Sequence, residues 1–147
     1  MVEPTSDPFE LARFVAAQAS CYEEALRELR AGEKRTHWMW FVFPQVEGLG
    51  FSSMAQRYAI QSRAEAEAYL KHPMLGPRLR ECADALLSVH RRSAHEIMGS
   101  PDDLKLQSSM TLFAEVDGPG SVFESVLATY FGGRRCEPTL RFLRRLE

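Results

Sequence analysis

The 147-residue sequence has no apolar run close to the roughly 18 residues that a membrane-crossing helix requires. Its first stretch, Met1–Asp7, lacks the basic start and apolar centre of a secretory signal, so a cytoplasmic location is expected. Neither sign of charge is in excess. The net charge is −2 and the pI about 6.1, which leaves no overall field to favour nucleic acid or an anionic membrane. Cysteine is scarce: Cys21, Cys82 and Cys136 are odd in number, widely spaced and form no Cys-x-x-Cys pair. A disulfide framework is thereby excluded, and reduced, mostly buried thiols are expected. The histidines, His37, His72, His90 and His95, show no His-x-x-x-His spacing, so neither a metal centre nor a cofactor is expected. A phosphate loop is missing too, since Gly48-Leu49-Gly50 is too short and belongs to no strand–helix–strand unit. There is no Gly-x-Ser-x-Gly elbow, no internal repeat and no linker. Strand signals are almost absent.

Helix signals are abundant. Asp7, Pro8 and Glu10 supply an N-cap, a first-turn proline and the acid of a capping box. The three- and four-residue steps from Leu11 through Phe14, Tyr22 and Leu26 to Leu29 predict one long helix over 8–31, stopped by Gly32. Its other face, with Arg13, Glu24, Arg27 and Glu28, reads as solvated. Further helices are expected over 53–58, over 62–71 behind a Ser62–Glu65 capping box, and over 74–90 with Pro77 in the first turn. Ser93 with Glu96, Pro101, Ser121 with Glu124, and Pro138 open four more, the last running to Leu146. The expectation is an all-α, compact single-domain bundle of about seven or eight helices, several short. It covers 1–147, with 1–6 as a short tail. At this length such a domain buries roughly two thirds of its unfolded surface.

Two stretches stand out. Between Thr36 and Gly50 lie both tryptophans, Trp38 and Trp40, with Phe41 and Phe43 before Pro44. Large aromatics with polar groups threaded among them suit a core element and also a pocket wall. The run fits a strand or a short helix capped by Thr36; with helices on both sides, the helix is preferred. The second stretch, 101–114, has apolar residues almost all round, which marks a buried central helix. Lys105, Ser108 and Ser109 nevertheless lie among them. Either Lys105 snorkels and the serines bond back to their own helix, or the group faces the aromatic wall and binds an anionic or carbonyl group. His37 has an unperturbed pKa near neutrality and is the candidate acid/base beside the tryptophans; it reads equally as a residue bonded to a backbone carbonyl. Arg134, Arg135, Arg141, Arg144 and Arg145 offer a basic C-terminal surface or simply complement the helix dipole.

His37-Trp-Met-Trp-Phe-Val-Phe-Pro-Gln45, Gly48-Leu-Gly50, Tyr58, His72-Pro73, Leu75-Gly76 and Asp103-x-Lys105-x-x-Ser108-Ser-Met-Thr-Leu-Phe113 together resemble a bacterial family of unknown function often labelled "calpastatin" in genomes. The resemblance spans about residues 7–144 and implies a compact all-α domain with no established activity. The label itself fits poorly, because calpastatins are disordered inhibitors and this chain is rich in core residues. The family's shared runs coincide with the two stretches singled out above.

Two functional readings follow. In the first, a pocket takes a small nucleotide-like or ADP-ribose-like ligand. Trp38, Trp40, Gln45, Gly50, Tyr58, Ser108 and Ser109 line it, and His37 and Lys105 are the catalytic candidates. N-glycoside cleavage is one reaction by loose analogy, with Asp103 as the candidate carboxylate. In the second, the chain is a non-enzymatic protein-interaction domain with a structural aromatic core. Whether it is an enzyme, and its oligomeric state, are not legible.

Overall fold

The computed structural model describes residues 6–145. Among them are ten helices: α1 (Ala12–Gln18), α2 (Tyr22–Ala31), α3 (Met39–Val42), α4 (Ser53–Arg57), α5 (Arg63–Lys71), α6 (Leu75–Ser88), α7 (Ala94–Met98), α8 (Asp102–Asp117), α9 (Val122–Phe131) and α10 (Glu137–Arg145). Seven of these have seven or more residues, so the expected count was slightly low. Of the expected tail 1–6, residues 1–5 lie outside the described residues, as does Leu146 at the other end. The only β pairing among the described residues is an isolated parallel bridge, Val46 to Ile60, which ties the loop after α3 to the end of α4.

Helix α8 is the centre. Leu106 and every residue from Ser108 to Ala114 are buried, because α5, α7, α9 and α10 pack around it. Helix α6 in turn packs on α2, α5 and α9, and α1 on α3. Where α5 turns into α6, the backbones come very close: a Cβ on Gly76 would stand 2.1 Å from the Leu70 carbonyl oxygen. Helix propensity favours alanine over glycine by about 1 kcal/mol. A rigid backbone contact this short reverses the sign. Gly76→Ala is therefore expected to lose about 1–3 kcal/mol of stability in a denaturant titration; an unchanged or stabilised variant would show that α5 and α6 are less tightly apposed.

Three local expectations need correcting. The helix over 8–31 is two helices, separated at Ala19–Cys21. Between Val15 and Tyr22 the sequence offers only small or polar side chains, so no apolar stripe holds the axis straight. The break lets the buried Gln18 amide donate to the Phe41 carbonyl at 2.7 Å and to the Tyr69 hydroxyl at 3.1 Å. Glu10 forms no capping box. It has a left-handed backbone (φ 53°), and Asp7 alone caps the helix, accepting from the Leu11 and Ala12 N–H groups. Thr36 does not cap α3 either: its hydroxyl donates to Glu28 at 2.6 Å. The aromatic stretch is a single helical turn, the preferred alternative.

Candidate functional site

The segment from Lys34 to Trp40 is pinned from beneath by Glu28. This carboxylate, buried on α2, accepts four hydrogen bonds: from the Arg35 N–H (2.8 Å), the Thr36 N–H (3.0 Å), the Thr36 hydroxyl and the Trp38 Nε1–H (2.9 Å). Burial alone would push its pKa up. The hydrogen bonds from Thr36, Arg35 and Trp38 outweigh that and hold it at about 2. Trp38 is consequently a core residue. Its ring is fully buried and its N–H is taken.

Above the Trp38 ring, 5.0 Å from its centroid, sits the Lys34 ammonium. Lys34 donates to the Thr36 carbonyl at 2.7 Å and pairs with Asp102 Oδ2 at 2.9 Å, at the start of α8. Only 8% of its side chain is exposed, so this pair is nearly dry. The other oxygen of Asp102, Oδ1, is 3.7 Å from Lys105 Nζ. Lys105 in turn lies 5.8 Å from the centroid of the half-buried Trp40 ring, within range of a cation–π contact. One carboxylate thus serves two ammonium groups unequally. Lys34 holds it closely, and Lys105 is left with a loose ion pair and an aromatic face.

The aromatic run and the polar group of α8 therefore do meet, at Trp40 and Lys105. The other candidates are placed as follows. His37 is exposed, and none of the side-chain hydrogen bonds among the described residues involves it. Gln45 is half-buried, and its backbone carbonyl accepts from the Ile60 N–H. Gly50 lies against α4, where a Cβ would meet that of Ala55 at 2.7 Å. Tyr58 is buried between Phe14 and Phe41. Ser108 bonds back to the Leu104 carbonyl and lies 3.2 Å from the Cys136 sulfur. Ser109 is fully buried, its hydroxyl without a protein partner among the described residues. Neither these residues nor Trp40 and Lys105 are among those lining five surface grooves elsewhere on the molecule.

Sequence reasoning passed over several features. Lys34 and Asp102 are separated by nearly half of the chain and no spacing links them. His95 Nδ1 approaches Asp103 Oδ2 at 3.4 Å, where the sequence showed no carboxylate for any histidine. Among the basic C-terminal residues, Arg135 is paired with Glu115 and Glu124, and Arg144 with Glu137. Much of that charge is thus neutralised locally. The cysteines are free, and among the described residues no cluster of three or more His, Cys, Asp or Glu side chains is arranged to hold a metal ion.

The family model described as a protein of unknown function, DUF1810, matches residues 8–143. The chain belongs to the DUF1810 family. The crystal structure of the conserved hypothetical protein Rv1873 from Mycobacterium tuberculosis is similar to it throughout, with a TM-score of 0.92 and 55% identity over 94% of this chain and 99% of that one. No curated protein matches. The likeness establishes the DUF1810 fold for this chain, and neither description names a reaction or a ligand. Among the described residues no helix is long and apolar enough to cross a membrane.

Proposed function

We propose that this DUF1810 protein binds a small nucleotide-like ligand on the face formed by Trp40 and Lys105. The observation that supports this is the uneven sharing of Asp102. Lys105 has the half-buried Trp40 indole beside it and a 3.7 Å ion pair to hold it. An ion pair at 3.7 Å whose side chains are 29% and 20% exposed is partly solvated and contributes on the order of 1 kcal/mol. The fold does not depend on it, and a phosphate can displace the carboxylate at little cost. A base or other flat ring stacks on Trp40, with its anionic group on Lys105. Such stacking contributes about 1–3 kcal/mol per base and tolerates different bases. His37 is exposed and makes no side-chain hydrogen bond among the described residues, so we assign binding rather than catalysis to this face.

The alternative, a protein-interaction domain, has less behind it. Among the described residues the exposed large apolar side chains are Phe51 ahead of α4, Met74 ahead of α6 and Leu104 on α8, and single exposed residues of this kind are ordinary.

A thermal-shift screen against nucleotides, dinucleotides and ADP-ribose tests the reading, because a ligand bound only to the native state raises the melting temperature by mass action. Lys105→Ala should abolish the shift while the unliganded melting temperature stays close to that of the parent chain. No shift with any member of the set at millimolar concentration would sink the proposal.

A further inference from the structure

A groove with its own set of lining residues lies between the segment ahead of α1 and the loop joining α4 to α5. Its volume is about 780 Å³, within the size range of small-molecule sites. Its floor is the ion pair Arg13–Glu65 (2.8 Å), with side chains 15% and 4% exposed. Arg13 is fully engaged. It donates to the carbonyls of Phe9, Glu10, Arg57 and Ala59 as well as to Glu65, and so fixes both walls relative to each other. Glu65 is engaged too, since its other oxygen accepts from the Gln61 N–H at 2.9 Å.

Three side chains lining the groove have no such commitment among the described residues: the guanidinium of Arg57, the carboxylate of Glu10 and the amide of Gln61. Arg57 rests over the Tyr58 ring at 5.7 Å and takes part in no ion pair there. Glu10 is held on the opposite wall by a backbone that L-residues seldom adopt (φ 53°), clamped through its N–H to the Asp7 carbonyl and through its own carbonyl to Arg13. A fixed, strained residue carrying an unpaired charge is a pointer to function. Opposite charges line one groove without pairing with each other, and a ligand carrying both signs would bridge them.

We propose that this groove binds a zwitterion of the amino-acid or short-peptide class, with its carboxylate on Arg57, its ammonium on Glu10 and its amide on Gln61. Planar guanidinium suits a carboxylate in two-point contact, and half-buried Phe9 offers an apolar edge for a side chain. The site is independent of the Trp40–Lys105 face.

The test is an amide-shift NMR titration of the whole chain with the dipeptide Gly-Leu, beside N-acetyl-Gly-Leu and Gly-Leu-amide. Saturable shifts are expected at Phe9, Glu10, Gln61 and Ser62. Blocking either terminus should weaken binding about tenfold, the loss of one charge-assisted contact. In Arg57→Gln, Gly-Leu and its amide should bind equally. In Glu10→Gln, Gly-Leu and its acetylated form should bind equally. Both side chains are exposed, so neither change threatens the fold, and resonances away from the groove report on that directly. Trp40→Ala should leave the titration unchanged. Absence of saturable shifts, equal affinity of the parent chain for the blocked forms, or a preference for the free termini that persists undiminished in both variants would each overturn the proposal.

Discussion

Replacing Glu28 with alanine is expected to cost the fold about 3–5 kcal/mol, among the largest effects of any single substitution in this chain. Four donors converge on that carboxylate, and three of them, the Trp38 indole and the two backbone N–H groups, cannot turn away to find another acceptor. Glutamine has nearly the same shape but presents an NH2 group to a ring of donors, so Glu28→Gln should be destabilising as well. The carboxylate also makes the fold acid-sensitive in a defined window. Its pKa of about 2 in the folded chain lies below the ordinary value of 4.5. A depressed carboxyl pKa contributes stability that is fully present above the unfolded value and is lost as the pH falls through the folded one. The contribution is about 3 kcal/mol at neutral pH, and about 2 kcal/mol of it is gone by pH 3. Denaturant titrations at pH 7 and pH 3 measure this: the parent chain should weaken by that margin more than Glu28→Gln does. An equal acid response in both chains would remove Glu28 from the account.

Arg13→Ala should be comparably severe, at about 3–5 kcal/mol. It leaves Glu65 buried with one oxygen unpaired, and it frees carbonyls on two segments that Arg13 bridges. Lysine is a poor substitute, because a point charge cannot reach five acceptors that a planar fork reaches together. The double variant Arg13→Ala/Glu65→Ala separates the components. If the unpaired carboxylate carries most of the cost, the double variant should recover part of the stability lost in the single one. Full additivity would place the cost in the lost carbonyl contacts instead.

These two residues also show where the sequence ceased to be informative. Arg13 and Glu28 fall on the helix face that periodicity marks as solvated, together with Glu24 and Arg27. The latter pair does form an exposed ion pair on the surface, whereas Glu28 is a buried hub and Arg13 a half-buried one. Periodicity assigns a charged residue to water because its partners, forty-four residues away for Arg13 and across a turn for Glu28, leave no local trace. Local chemistry was far more legible. Ser62, Ser93 and Ser121 cap α5, α7 and α9 as expected, though only Ser93 and Glu96 close a full capping box, Glu65 and Glu124 reaching instead to the N–H groups of Gln61 and Gly120, and Gly32 ends α2 in the left-handed conformation. Those devices lie within four residues of their own helix and need nothing from the rest of the chain. The split between α1 and α2 was missed because a distant carbonyl, that of Phe41, rewards it.

At the candidate face, the meeting of Trp40 with Lys105 was legible because apolar residues all round α8 required it to be central, beside the most aromatic stretch. The division of labour between the two tryptophans was not. It depends on Glu28, which takes the Trp38 N–H into the core and leaves Trp40 at the surface. Likewise, Lys34 could not be recognised as the closer partner of Asp102, since the two meet only through the fold.

The Trp40–Lys105 site is tested most sharply by a tryptophan-fluorescence titration with ADP-ribose, made on the parent chain and on Lys105→Ala. Trp38 is sealed from solvent, so a ligand stacking on Trp40 quenches only one of the two emitters. Saturable partial quenching in the parent chain, with affinity at least about tenfold weaker in a folded Lys105→Ala, is the predicted result. Equal quenching of both chains, or none in the parent, would contradict a ligand site at Trp40 and Lys105.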